Sequence, residues 1–440
     1  MTKRPTDLVK PPRRVLIIAY YFPPMGLSGV QRVAKLVKYL PQAGWQPVVL
    51  TVKPGAYFAF DDTLLREVVA SGVHIERTNS WDPTRLISRT SRIVELPSEK
   101  KRGLLTAISQ YLLLPDNKIG WYPFAVNRGK KLLNQETYDA IYVSAPPYTS
   151  LIIGTALSKW ANVPLVIDYR DDWLGNPRHT YPTKLHRTLH SVLERWVLRR
   201  ASYVTAINDV IVKSIEHRHQ LSGSKKVAII PQGFDSADML NSFDQVTNCT
   251  GKFKILYTGV FYDAQKPDTF LYALARAIDV AGIPADRIRA TFLGLVPSYF
   301  NEMVSKLGLE EVVEYRGYVD HTETVKSMLN ADVLWMIIGH RKGAEGISTG
   351  KLYEYMGTLK PILALIPNGT ARRALKPYKA ARICDPDDVL GTTEAMHTLY
   401  QEWLQDALPQ GDKAYTLRFD RKYLAEEVAS MLDKAVAEAI

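Results

Sequence analysis

The stretch Val15-Leu-Ile-Ile-Ala-Tyr-Tyr-Phe-Pro-Pro-Met-Gly-Leu-Ser-Gly29 decides how the first half of this chain folds. Its first six residues form an unbroken apolar run of strand length, the pattern of a parallel strand buried on both faces. The run breaks into a loop that ends in small residues. Beyond it Val30, Val33, Val37 and Leu40 recur at helical spacing up to Gly44, and Pro47 to Val52 is apolar again. A strand, a helix and a second strand in this order predict a right-handed crossover unit with its loop at the carboxyl end of the first strand. The same alternation continues outward. Strands are expected at Ala140 to Ser144, Leu165 to Tyr169, Tyr203 to Ile207 and Val227 to Ile230, with helices at Tyr148 to Trp160 and Leu185 to Arg200.

The polar stretch Ser236 to Gly251 has no clear period and is expected to link two domains. A second alternation follows, with strands at Lys254 to Thr258, Arg289 to Leu293, Val312 to Arg316, Val333 to Ile338 and Pro361 to Leu365. The fold class is therefore α/β, with two doubly wound parallel sheets. The expected domains are residues 12–235 and 252–405, with a helical segment at 410–440 that packs back on the first domain. Ligands of such sheets bind outside the carboxyl ends of the strands, so two facing sheets make a cleft.

Composition narrows the function classes. The formal net charge of +11 favours an anionic partner, either a phosphate-bearing substrate or an acidic membrane surface. The basic residues are scattered and accompany no nucleic-acid motif, so no nucleic acid is expected. Cys249 and Cys384 are the only cysteines, which excludes a disulfide framework and a cysteine zinc site. The residues from Met1 to Arg14 are polar and basic, unlike a signal peptide, and the longest apolar runs are far too short to span a bilayer. The expected location is cytoplasmic, with peripheral attachment to the inner face of the membrane. For that attachment Lys100-Lys-Arg102 precedes Leu104, Leu105, Ile108 and Leu112, a basic-apolar pattern that suits a membrane surface as well as a buried helix.

The richest constellation is Glu345-Gly-Ile-Ser-Thr-Gly-Lys351-Leu-Tyr-Glu354. Ser348, Thr349 and Gly350 precede an apolar-periodic helix, with either hydroxyl suited to cap it. A helix start offers free N–H groups to phosphate. Lys351 adds a cation, and Glu354, one turn further in, can accept hydrogen bonds from ribose hydroxyls. Asp168-Tyr-Arg-Asp-Asp-Trp173 ends a strand, where Asp171 is placed to take a proton from an acceptor hydroxyl and Arg170 to steady a phosphate or orient a carboxylate. Either group can instead belong to a structural Arg–Asp pair. Gly26, Ser28 and Gly29 allow backbone to approach a ligand closely. The paired acids Asp61-Asp62, Asp171-Asp172 and Asp387-Asp388 do not demand a metal, because cations and a helix end can neutralise phosphate charge. His321 and His340 are isolated histidines.

The Glu345 to Pro361 segment resembles the donor-binding motif of the family-four glycosyltransferases, which share the GT-B fold. Four further segments agree in order. Tyr21 to Arg32 resembles the family's first glycine-rich loop, and Asp168 to Trp173 an element of its bacterial polysaccharide branch. Pro231-Gln-Gly-Phe-Asp235 resembles the domain-junction stretch, and Gly317-Tyr-Val-Asp-His321 the turn that meets the nucleotide base. The likeness spans roughly residues 12 to 400. It implies a retaining transfer of a sugar from a nucleoside-diphosphate sugar to a lipid-linked or saccharide acceptor, with no cofactor and no metal. It implies donor contacts at Gly259, Lys266, Tyr318, Ser348, Thr349, Gly350, Lys351 and Glu354, catalytic roles for Asp171 and Arg170, and an acceptor or phosphate loop at Gly26, Ser28, Gly29 and Arg32. The chain departs from the pattern in three places. The family's first glutamate position falls on Gly346, one residue after Glu345. Val260 and Phe261 follow Gly259 where an arginine is usual. Lys266 lies one residue out of register. A nucleotide-sugar 2-epimerase and a non-catalytic scaffold on the same frame are the alternatives.

Overall fold

The computed structural model describes residues 12–26, 28–55, 60–83, 109–176, 179, 181–220, 226–243, 251–261 and 264–439. Seven strands make the first sheet: β1 (Arg13–Ile18), β2 (Trp45–Val52), β3 (His74–Thr78), β4 (Ala140–Ala145), β5 (Leu165–Tyr169), β6 (Tyr203–Ala206) and β7 (Val227–Ile229). Their order is β3-β2-β1-β4-β5-β6-β7. Six make the second: β8 (Phe253–Val260), β9 (Ile288–Leu295), β10 (Val313–Gly317), β11 (Val333–Ile337), β12 (Ile362–Leu365) and β13 (Ala381–Cys384), in the order β10-β9-β8-β11-β12-β13. Every pairing is parallel; Val15 of β1, for example, sits opposite both Pro47 and Ala140.

The apolar runs are continuous because each sheet is covered on both faces. Successive side chains point to opposite sides of a strand. Leu16 and Ile18 join one core of the first domain, and Val15 and Ile17 the other. In the second domain Val333, Trp335 and Ile337 separate in the same way from Leu334, Met336 and Ile338. The order in which strands are added across the sheet reverses between β1 and β4 and again between β8 and β11, and these switch points open crevices at the strands' carboxyl ends.

Three features differ from the sequence reading. Edge strands β3 and β13 lie where none is expected. The stretch read as a linker begins with a helix, Ser236–Phe243. Its nucleus is tertiary as well as local: the Asp235 carboxylate accepts the Ala237 N–H at 3.0 Å and the Tyr39 hydroxyl at 2.5 Å. The basic-apolar stretch at Lys100 to Leu112 falls mostly outside the described residues.

The last helix, Arg421–Ala437, is capped by the Asp420 side chain and returns to the first domain. There Leu424, Val428 and Leu432 enter its core, while Asp433 accepts hydrogen bonds from Arg13 at 2.6 Å and from the Trp45 indole at 3.2 Å. No helix among the described residues is long and apolar enough to cross a membrane.

Candidate active site

A cavity of about 560 Å³ opens between the carboxyl ends of the two sheets. That volume is in the range that holds a small organic ligand. Gly26, Gly29, Arg170 and Asp171 line it from the first domain, and Gly259, Tyr318 and the run from Ser348 to Lys351 with Glu354 from the second.

The donor-like side is built on the helix Gly350–Gly357. Thr349 occupies its N-cap position, yet no side chain caps it. The Ser348 hydroxyl meets the Tyr353 hydroxyl at 3.1 Å, and the buried Thr349 hydroxyl has no partner. Neither hydroxyl serves as the expected cap, so the first N–H groups of this helix are left for a ligand in the cavity. Lys351 lies one residue into the helix, with its Nζ 3.7 Å from the centre of the Tyr257 ring. Burial pushes its ammonium down to about 7, and the charge of Glu354 only partly opposes this. Gly259, at the end of β8, makes this position possible. Its φ is +119°, and a Cβ there would lie 3.0 Å from both Cε and Nζ of Lys351. Gly294 on the neighbouring strand faces Gly259, whose carbonyl oxygen would be 1.9 Å from a Cβ at that site.

The acceptor-like side is built on the end of β5, and its charges are largely consumed by one another. Asp168 is fully buried and accepts two hydrogen bonds from Arg32, at 2.8 and 2.7 Å, besides the hydroxyls of Ser144 at 3.0 Å and Thr205 at 2.8 Å. Burial alone would raise its carboxyl, but Arg32 outweighs burial and holds it below the usual range. Asp172 is clamped by Arg218 at 2.5 and 2.9 Å and by the Ser214 hydroxyl at 2.5 Å. Trp173 is buried, stacks on Tyr148 at 4.8 Å and donates to His190 at 2.9 Å. Between these fixed points Asp171 is exposed to the cavity. Arg170 is buried at the switch point and donates to the carbonyls of Gly29 and Pro146, and burial pushes its guanidinium below the ordinary value.

The two domains meet around the mouth of the cavity. His321 bonds Gln31 of the first domain at 3.0 Å and Asp238 at 2.9 Å. Burial would lower its imidazole, but the hydrogen-bonded Asp238 carboxylate and the charge of Glu354 together outweigh burial and raise it. The Asn208 amide donates to the Gly346 carbonyl at 2.9 Å, and Arg373 reaches Asp209 at 2.7 Å.

Two expected site residues lie elsewhere. Arg32, read as part of a phosphate loop, points into the first domain, where Asp168 and the carbonyls of Pro231 and Ile230 take up its donors. Lys266 is exposed and outside the cavity lining, where Gln265 stands instead. Ser28 opens the first helix. Gln31 and Arg341, which no sequence pattern singles out, are both in the lining, as is His321 at the end of the turn expected to meet the nucleotide base. The position of Arg341 just beyond the carboxyl end of β11 is the signal that would have found it. Among the described residues two clusters, one of a histidine with two acids and one of three acids, have metal-like spacing. His340, Asp385 and Asp387 are exposed and away from the cavity, while Glu67, Asp235 and Asp238 already surround the Lys35 ammonium at 2.7 to 2.9 Å.

Two Rossmann-like domains facing across such a cleft constitute the GT-B fold. Within it, residues 29–233 match the family described as glycosyl transferase 4-like domain. No curated protein matches the chain in sequence. Solved structures match over nearly the whole length. Anabaena HepE, crystallised with UDP and glucose, is 16% identical with a TM-score of 0.61, covering 95% of this chain and 99% of its own. A lipopolysaccharide outer core galactosyltransferase is 13% identical at 0.54, covering 97% and 100%. A Listeria monocytogenes protein assigned as a UDP-N-acetylglucosamine 2-epimerase is 12% identical at 0.56, covering 97% of each chain.

Proposed function

We propose that this chain is a retaining glycosyltransferase that moves a sugar from a nucleoside-diphosphate sugar to a lipid-linked or saccharide acceptor in cell-surface polysaccharide synthesis. The single observation that carries this reading is Lys351. Its ammonium is desolvated beside an uncapped helix start, and among the described residues no carboxylate forms an ion pair with it. A buried cation without a counter-ion is costly, and an anionic ligand removes the cost. A diphosphate satisfies both the ammonium and the free N–H groups, and their grip strengthens as negative charge develops on the leaving group. The bond between the sugar's anomeric carbon and the diphosphate oxygen breaks, and a bond to the acceptor oxygen forms on the same face. Asp171 takes the acceptor's proton. Arg170, tied to both loops at the switch point, holds this strand end in place. The positive groups around the diphosphate make a divalent metal unnecessary.

The polysaccharide role draws support from the Asp168 to Trp173 element and from the likeness to an outer core galactosyltransferase. Incubation with UDP-sugars, with and without candidate acceptors, tests the reading by mass spectrometry and by the anomeric signals of the product. An extended acceptor that keeps the donor's anomeric configuration supports it. A sugar isomerised without acceptor would make the chain an epimerase, and failure of every nucleotide to bind would leave a scaffold.

A further inference from the structure

The outer face of the helix Lys184–Arg200 carries an apolar stripe that none of the described residues covers. Leu185 is 65% exposed, Leu189 41% and Val192 57%. Their spacing of four and three residues places them on one face. The segment before Asp116 adds to the same surface. The His186 ring lies 5.1 Å from that of Tyr111 and its Nε2 is 3.1 Å from the Tyr111 carbonyl oxygen, while Tyr111 and Leu112 are 57% and 71% exposed. Scattered exposed leucines need no explanation, but five large apolar side chains on two adjoining segments form a patch.

The charge around the patch says what covers it. Lys184, Arg195 and Arg199 are exposed on the same helix and flank the stripe, whereas Arg187 turns away to the Tyr181 ring. Its one acid, Glu194, is fully buried and neutralised by Arg218 at 3.1 Å and His219 at 2.7 Å. An exposed face that offers apolar side chains and cations, and no anion, is complementary to a bilayer with acidic headgroups. A protein partner of ordinary composition would call for acids among the cations. The position of the patch fits as well. The helix follows β5 and runs back from the carboxyl end of the sheet, so its apolar first half lies at the cleft rim beside the loop that carries Asp171. The second segment is pinned to the same rim, where Asp116 caps the start of helix Tyr148–Ala161 through Thr149 at 3.0 and 2.8 Å.

We infer that this surface docks the protein on an anionic lipid bilayer, with Leu185, Leu189 and Val192 immersed among the headgroups and Lys184, Arg195 and Arg199 against lipid phosphates. The docked protein turns the acceptor side of its cleft toward the membrane. That geometry deepens the proposed function by delivering a lipid-borne acceptor to Asp171, while docking itself requires no catalysis.

Co-sedimentation of the full chain with vesicles of phosphatidylcholine, alone or with phosphatidylglycerol, tests the inference. Recovery with the anionic vesicles should be at least about tenfold higher in low salt and should fall as salt rises. Replacing Leu185, Leu189 and Val192 with glutamine, or Lys184, Arg195 and Arg199 with glutamine, should each lower binding by about tenfold or more, with UDP binding and melting temperature retained. A third variant, Lys100→Gln with Lys101→Gln and Arg102→Gln, separates this surface from the upstream basic stretch. Equal recovery with both vesicle types would overturn the inference. So would loss of binding in the third variant alone, or a dimer of the wild-type chain that the glutamine variants dissolve. None of these results would disturb UDP binding, on which the proposed function stands or falls separately.

Discussion

The ends of β5 and β8 face each other across one cleft and treat charge in opposite ways. At the end of β5 the carboxylates of Asp168 and Asp172 are spent on the scaffold. Asp168 is locked to Arg32, and Asp172 to Arg218 and Ser214. At the end of β8 the ammonium of Lys351 is desolvated over Tyr257 and has no salt-bridge partner among the described residues. The contrast separates scaffolding from binding. A buried charge with its counter-ion in place holds a loop, and a desolvated charge without one waits for a ligand.

Breaking the paired side should cost the most stability. Asp168→Ala leaves Arg32 buried without its partner, and a loss of about 3–5 kcal/mol is expected in denaturant unfolding. A loss under 1 kcal/mol would mean that the pair does not hold the β5 loop. Asp171, exposed between the two locked acids, should behave differently. Asp171→Asn should fold normally and lower turnover by about 10²-fold, with little change in donor KM. Wild-type turnover would reduce Asp171 to a loop residue.

The pH dependence sharpens the other side of the comparison. Burial pushes the Lys351 ammonium down to about 7. A bound diphosphate raises that value, since a nearby anion favours the charged form. Below pH 7 the amine is already charged when UDP arrives. Above it each binding event takes up a proton, so affinity should weaken from about pH 7 to pH 9, by up to roughly tenfold per unit. Isothermal titration in buffers of different ionisation enthalpy would report that proton, and a flat profile with no uptake would contradict the assignment. The smallest expected effect is that of chelation: EDTA should leave turnover unchanged, and loss of activity restored by magnesium or manganese would place the diphosphate's counter-charge on a metal.

Much of this was legible in the sequence, and the limits have physical causes. The core strands announced themselves as apolar runs because both faces of each sheet are covered. Two of the four edge strands, β3 and β13, did not. His74–Thr78 and Ala381–Cys384 are short and carry polar or charged residues on partly open faces, so neither period nor composition marks them. The helix Ser236–Phe243 is held by Asp235 and by Asp238, which is bound to Lys35 and His321; those partners are far away in the chain. The site divides in the same way. Lys351 and the helix start could be read from one segment. The fate of Arg32 depended on Asp168, 136 residues away, and no local spacing reveals such a pair. The desolvation of Lys351 likewise required β8 to bring Tyr257 and Gly259 against it.

The central claim is that Lys351 is held ready for a diphosphate, and UDP titration of the wild-type chain and of Lys351→Ala, in metal-free buffer at pH 7, tests it most directly. The account predicts that the wild type binds, that the variant binds more weakly by roughly 1.5–3 kcal/mol, and that its melting temperature is unchanged or higher. Equal affinity in the two proteins, or a variant that loses stability as Asp168→Ala does, would contradict it.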